Sequence, residues 1–514
     1  MSRYAKILVV VLAVVEIATC SFLMSLNPTW NGENPRHRNQ YELIADSFID
    51  GKLYFEYDDV DPMLAEMDNP YSPEERKRLG VSFHWDHAYY DGTYYMYFGA
   101  VPAVTLFVPF KLLTGQSLTT YHATQLYVAL IIVAFYCLFF MFRSRLFPKV
   151  PPWLCALASF VLSFMSVWFA VARPALYCTA ITAGVCFMIW SLYFFARAFL
   201  FEERTRRIIA LTAAGAVCGA LVFGCRPILG MANFLVVIPL LVWFLRKRVL
   251  PPWAKGALHA DINAPHAAEI LHTSNSAPIA SSNPASVDFS PRAITALFAA
   301  GLTPFILVGA VLMAYNAARF GSPFEFGQSY QLTVSDQHLY GSQWFSVSGV
   351  LEQFPNWIQA LFGFGGFSSS FPFVQFSGIF VNFPILLAPL LLFHPRCRKF
   401  LRANSGLVPL VCGAVLTALI TVALDLAWSP TYLERYNLDV YYLLGICSFI
   451  AIGTWFQAVE TKRPRARTAV TAGMLALTFV MSVLLFVNPS DQGLLTAFPD
   501  IANSLGVSTH MGRR

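Results

Sequence analysis

Charge is what this sequence has least of. Of its 514 residues only 12% are Asp, Glu, Lys or Arg, while 56% are hydrophobic. Soluble domains carry roughly a quarter charged residues, so the composition excludes an ordinary soluble fold. Apolar–polar alternation is missing as well. The apolar runs are continuous, which excludes a membrane β-barrel and leaves helices to satisfy the backbone in lipid. Ten cysteines are present, yet they form no disulfide framework. Cys20, Cys137, Cys155, Cys178, Cys186, Cys218, Cys225, Cys412 and Cys447 lie in or beside apolar runs, and Cys397 lies in a basic segment. The one large polar loop has none, so no structural disulfide is expected there. No His/Cys spacing suits a metal, so any divalent cation would be held by carboxylates. No internal repeat is evident.

What the sequence does have is apolar runs near the length of one bilayer crossing, about 20 residues. They lie near residues 7–27, 119–142, 152–172, 178–200, 208–224, 228–245, 293–316, 376–394, 405–427, 438–456 and 468–487. The pattern predicts an all-α polytopic membrane protein with about eleven spans. Arg3 and Lys6 precede the first run, which is read as a retained anchor over residues 1–27 rather than a cleaved signal. Every second connection is basic: Arg143, Arg145 and Lys149; Arg204, Arg206 and Arg207; Arg246, Lys247 and Arg248; Arg396, Arg398, Lys399 and Arg402; Lys462, Arg463, Arg465 and Arg467. The positive-inside rule assigns these to the cytoplasm, with the N-terminus inside and the C-terminus outside. The short run Val101–Leu113 carries Pro102, Pro109 and Lys111. Counting it as a span would invert every later loop, so it is expected to lie on the outer face.

The organisation that follows has six parts: the anchor; an extracytoplasmic loop over 28–118; spans two to six over 119–248; a linker over 249–291; spans seven to eleven over 292–487, with an outer loop at 317–375; and an extracytoplasmic tail at 488–514. The linker is rich in Ala, Ser, Pro and Asn and lacks periodicity, which predicts disorder. Its scattered His259, His266 and His272 are read as linker residues, not ligands.

The loop at 28–118 holds close to half of the chain's 29 acidic residues. Much of that acidity is the counterpart of positive-inside sorting. Pattern says more than charge. Tyr41, Ile44, Ala45, Phe48 and Ile49 recur at helical spacing with Gly51 as a stop, predicting an interfacial helix. Then Trp85 to Gly99 packs five tyrosines, a tryptophan, Asp86 and Asp91 into fifteen residues. An aromatic belt would supply the rings but does not call for the acids. Rings that stack on sugar faces beside carboxylates that bind hydroxyls suit carbohydrate, with Trp85, Tyr89, Tyr90 and Tyr95 as the candidate platforms. Two further outward segments carry Asn316, Arg319 and Glu325, and Glu434, Arg435, Tyr436 and Asp439. Arg173, Arg226 and Arg435 stand at outer boundaries of spans. Each can snorkel to lipid phosphates, or together they can clamp the phosphate of a lipid-linked substrate, since a guanidinium binds phosphate bidentately.

These segments resemble the GT-C superfamily of integral-membrane glycosyltransferases, in particular bacterial mannosyltransferase-like members. The likeness rests on Asn39-Gln40-Tyr41 through Gly51-Lys52-Leu53-Tyr54, on Tyr94 to Pro102 with the short apolar helix after it, on Asn316 with Arg319 to Gly327, and on Glu434-Arg435-Tyr436 with Asp439. It implies a multi-pass protein of the bacterial cytoplasmic membrane that moves a sugar from a polyprenyl-phosphate donor to a glycan, lipid or protein acceptor on the outer face by inverting displacement. Membrane lipids are implied partners and nucleic acid is not. The family's usual acidic pair is replaced here by Asn39-Gln40, and its His-Pro-Pro element is absent. The catalytic base is therefore expected at Asp86, with Asp46, Asp91 and Glu325 in reserve. Arg435 is expected on the phosphate, then Arg226 and Arg173, with Tyr436 beside them. Two other readings stand: a flippase or transporter of lipid-linked intermediates, for which Asp425 is the one clear acid in a late span, and a non-catalytic assembly protein that keeps the fold.

Overall fold

The computed structural model describes residues 3–26, 40–174, 176–249, 287, 289–339, 347–365, 376–428 and 434–487. Asn39, the core of the expected linker, the Gly366–Ser370 part of the outer loop and the tail at 488–514 lie outside the described residues.

The protein is an all-α polytopic membrane protein. Nine helices among the described residues are long and apolar enough to cross a bilayer: Thr120–Arg145, Pro152–Ala172, Leu176–Phe201, Thr205–Gly224, Pro227–Val249, Pro291–Phe320, Leu407–Ala427, Glu434–Ala458 and Pro464–Val487. Each coincides with a run seen in the sequence, because about 20 continuous apolar residues can bury their backbone polarity only as helix. The first run is a helix from Arg3 to Ser25. The eighth is broken. Ile379–Asn382 forms one helical turn, and Pro384–Phe393 continues as a 3-10 helix containing Pro389. Proline lacks the N–H of an i→i−4 bond, which opposes a continuous α-helix here. The segment Ala103–Thr114 is twelve residues long, about 18 Å, against a hydrocarbon core of roughly 30 Å.

The basic connections meet at one end of the bundle. There the Phe147 ring is 6.1 Å from that of Phe400, Lys149 Nζ donates to the carbonyl of Gln457, Arg248 Nη1 to that of Phe199, and Trp243 Nε1 to Ser405 Oγ. Within the bundle one acid is conspicuous. Glu16, on the first helix, is 1% exposed, and Ser163 Oγ donates to its Oε1 at 2.5 Å. This bond fixes the first helix to Pro152–Ala172.

The opposite end carries the large polar loop. Helix Gln40–Ile49 buries Tyr41, Ile44 and Ala45 and ends before Gly51, whose φ is +74°. Ile49, expected on the apolar face, is exposed. Tyr41 stacks on Phe107 at 5.3 Å and donates its hydroxyl proton to the carbonyl of Gly99, while Lys111 Nζ donates to Asp46. The helix therefore rests on Ala103–Thr114. The aromatic segment is the exception to the helical plan. It forms a hairpin, β1 (His87–Tyr90) and β2 (Thr93–Tyr95), joined by Asp91-Gly92. Both turn residues have positive φ, +48° and +75°, as a type I′ turn requires. A third strand, β3 (Gln331–Leu332), pairs antiparallel with β1 and joins the loop after Pro291–Phe320 to the first outer loop.

Candidate functional site

Asp86 precedes β1. Its N–H donates to the carbonyl of Leu332, and its own carbonyl accepts from Gln40 Nε2 at 2.8 Å. Between these two anchors it is held at φ +55°, a left-handed conformation that costs a non-glycine residue energy and persists only where its surroundings impose it. The side chain is 7% exposed. Oδ1 accepts from Gln331 Nε2 at 2.8 Å, and Oδ2 accepts from the Tyr177 hydroxyl. Burial pushes the carboxyl above its ordinary range, opposed by hydrogen bonds from Gln331 and Thr333 and by the Arg435 charge.

Next to Asp86, His87 is buried. The Trp85 carbonyl can only accept, so the 2.9 Å contact puts the proton on Nδ1; Nε2 then accepts from the Tyr57 hydroxyl at 2.8 Å. Burial lowers this imidazole to about 4, so it is neutral near pH 7.

Tyr177 lies in the first turn of the span Leu176–Phe201. Its hydroxyl holds Asp86, and its ring lies 4.2 Å from the guanidinium carbon of Arg435. Arg435 also stands 5.5 Å from the Tyr436 ring centre, and Arg226 approaches the same ring at 5.4 Å. The half-buried Tyr97 completes the group. Burial and the Asp86 charge push its hydroxyl well above the ordinary range, while Arg435 and Arg226 act the other way.

The two arginines differ in their partners. Arg226 Nε and Nη2 reach Asp439 Oδ2 at 2.7 and 2.6 Å, and Nη2 lies 3.7 Å from Asp425 Oδ1. Asp439 is fully buried and Asp425 is 5% exposed; one oxygen of each has no hydrogen-bond partner among the described residues. For Arg435, no carboxylate lies within ion-pair distance among the described residues. Arg226 is thus neutralised, whereas Arg435 offers its charge from between two tyrosine faces beside Asp86. A close approach seats the loop over this site: a Cβ on Gly99 would lie 2.2 Å from the Gly224 carbonyl oxygen and 2.5 Å from that of Cys225.

Of the residues expected from the sequence, Asp86, Arg435, Arg226 and Tyr436 come together. The reserve acids are engaged elsewhere: Asp46 pairs with Lys111, Asp91 is the exposed hairpin turn, and Glu325 closes its own turn by accepting from Gly327 N and Ser329 Oγ. Arg173 lies 5.3 Å from the Phe169 ring centre. Trp85 is half exposed. Tyr89 is 3% exposed and sits directly opposite Tyr94 in the hairpin, so its faces are covered by packing. Tyr90 packs on Phe320 and Tyr330, and Tyr95 on Tyr54 and Phe320. Sequence reasoning missed Tyr177, Tyr97, Gln331 and the Asp439 partner of Arg226. It read Asn39-Gln40 as standing in place of an acidic pair; Gln40 Nε2 donates to the carbonyl of Asp86, and Asn39 lies outside the described residues. Among the described residues no three His, Cys, Asp or Glu side chains gather as metal ligands.

No protein-family model matches the chain, and no curated protein does. Two solved structures are similar to it. One is the oligosaccharyltransferase AglB of Archaeoglobus fulgidus in complex with an inhibitory peptide and a dolichol-phosphate, at 14% identity and a TM-score of 0.42 over 94% of this chain. The other is an oligosaccharyltransferase of Archaeoglobus fulgidus in the apo form, at 13% identity and a TM-score of 0.41 over 94% of this chain. The chain spans 56% of the length of each of these structures.

Proposed function

We propose that this protein is a membrane glycosyltransferase that uses a polyprenyl-phosphate sugar at the polar end of its bundle. One observation carries the reading. A buried carboxylate held at an unfavourable backbone angle, Asp86, shares Tyr177 with Arg435, which has no carboxylate partner among the described residues. Residues held in sparsely populated backbone regions concentrate at functional sites.

In the proposed reaction Asp86 takes the proton from an acceptor hydroxyl. The oxygen attacks the anomeric carbon from the face opposite the phosphate, the bond from that carbon to the phosphate oxygen breaks, and polyprenyl phosphate leaves with the electron pair. Arg435 holds the charge that develops on the phosphate. The upward displacement of Asp86 brings its basicity nearer to working pH, which favours general-base catalysis. Arg226, held by Asp439 and Asp425, fixes Tyr436 behind Arg435. Trp85 is the exposed ring best placed to meet a sugar. The described residues gather no carboxylate set that fits a divalent cation, so no step is routed through one; the acceptor and the bacterial cytoplasmic membrane, with the N-terminus inside, are further parts of this proposal.

The test uses the full chain in nanodiscs with a panel of polyprenyl-phosphate hexoses, following release of polyprenyl phosphate and its binding separately. Asp86→Asn should retain binding and lose transfer by about 10²–10⁴-fold. Arg435→Ala should weaken polyprenyl-phosphate binding about 10–100-fold, the loss of one charged hydrogen-bonding contact. Wild-type turnover in Asp86→Asn would refute the assignment. Movement of the lipid across sealed vesicles without covalent product would establish the flippase reading instead, to which the buried acids Glu16, Asp425 and Asp439 within the spans lend support.

A further inference from the structure

The loop between Pro291–Phe320 and the broken run that starts at Ile379 contains a helix, Phe354–Phe362, preceded by the short helix Val347–Glu352. It is too short to span, and three kinds of residue divide its circumference. Gln353, Trp357, Ala360 and Leu361 are buried or half-buried against the bundle. Leu351, Phe354, Ile358 and Phe362 form a second stripe and are 68%, 55%, 40% and 51% exposed. Glu352, Asn356 and Gln359 form a third, also exposed. At about 100° per residue the three stripes lie roughly 120° apart. A soluble surface needs only two faces. A third, apolar and open, needs an apolar solvent of its own.

One hydrogen bond sets the depth. Trp357 Nε1 donates to the main-chain carbonyl of Leu419 at 3.2 Å. Leu419 lies within the span Leu407–Ala427, eight residues before its end at Ala427. That is roughly 12 Å down the helix axis, inside a hydrocarbon core of about 30 Å. The Phe362 ring also packs at 5.1 Å on Phe380, at the start of the broken eighth run. The open apolar stripe therefore lies near the depth of the exposed Leu416 on the neighbouring span, 47% exposed.

We infer that Phe354–Phe362, with the last residues of Val347–Glu352, is a re-entrant helical segment that inserts Leu351, Phe354, Ile358 and Phe362 among the acyl chains of the leaflet on the polar-loop side, with Glu352, Asn356 and Gln359 turned to water. The occupant of the apolar face is bulk lipid. Trp357 is the tether that holds the helix at depth.

Photo-crosslinking tests this on the full chain in phosphatidylethanolamine–phosphatidylglycerol vesicles. A benzophenone amino acid is placed in turn at positions 354, 358, 356 and 359, and adducts are read by mass spectrometry. Phospholipid adducts are expected at 354 and 358 and their loss at 356 and 359. Adducts to a second copy of the chain at 354 and 358, equal lipid adducts at all four positions, or no lipid adducts at all would each overturn the inference. Trp357→Phe keeps the bulk but removes the N–H. It should lower the quenching of a probe at 354 by lipids brominated deep in the acyl chain, in protein that still elutes as the intact fold; unchanged quenching would overturn the tether.

Discussion

The two ends of the bundle are both rich in arginine, and Arg226 and Arg435 at the polar end keep company that the basic end does not offer. At the basic end the cations bond to backbone carbonyls: Arg248 to Phe199, Lys149 to Gln457, and Arg467 to Val459. These carbonyls lie at or just past helix C-termini, where the last turn leaves acceptors without intrahelical partners and the helix dipole favours positive charge. At the opposite end Arg76 and Arg319 also donate to backbone carbonyls, those of Thr333 and Met96, but Arg226 meets carboxylates and Arg435 meets tyrosine faces. The difference lies in what each cation has for company. A cation bonded to a carbonyl closes a helix and is finished. One held over aromatic rings beside a strained carboxylate retains charge for something else.

Perturbation should divide along the same line. Beyond the loss of transfer expected for Asp86→Asn, the largest effect should follow Arg226→Ala, which strands buried Asp439 and Asp425 without their cation. Thermal unfolding in detergent should report about 3–5 kcal/mol of destabilisation, and Arg226→Leu combined with Asp439→Leu should recover part of it. Unfolding at the wild-type temperature would erase the distinction between the ends.

His87 gives the next effect. Its folded value is depressed to about 4, against an ordinary value of about 6.5. The unfolded loop therefore binds the extra proton first. Stability is complete above pH 6.5 and falls as the pH drops from there towards 4, by up to about 3 kcal/mol. Limited proteolysis of the 40–100 loop across that interval should show the loss, and His87→Gln should flatten it. Equal acid sensitivity in both proteins would assign the effect to another group.

The smallest effect belongs to the basic end. Arg467→Ala should cost about 1 kcal/mol and leave polyprenyl-phosphate binding unchanged; a loss of binding comparable to that of Arg435→Ala would contradict the contrast.

The spans were legible because hydropathy alone specifies them, and the alternating basic connections anticipated which loops would meet at one end. The broken run at 376–394 was foreshadowed by Pro384 and Pro389. The hairpin was also written in the sequence, since Asp-Gly between aromatic runs is a strong type I′ signal, but the density of rings drew attention to ligand binding instead. That emphasis misjudged Tyr89, whose place opposite Tyr94 is decided by strand register. Asp86, Arg226 and Arg435 were legible as charges at polar boundaries. Tyr177 was not, because it lies in the first turn of an ordinary apolar helix and acquires its role only when the outer loop folds back over it. The partnership of Asp439 and Asp425 with Arg226 depends on segments more than 180 residues apart, and no local pattern announces it.

The backbone angle at Asp86 limits what substitution can teach. Only glycine enters the left-handed region without penalty, and asparagine tolerates it at least as well as aspartate. A full mutational scan at this position would therefore return two superimposed selections. Most variants would fail because the turn into β1 is distorted, whether or not a carboxylate is needed. Asn and Gly are the pair in which loss of the acid is separable from loss of the fold, and their comparison with wild type isolates the chemistry at that turn.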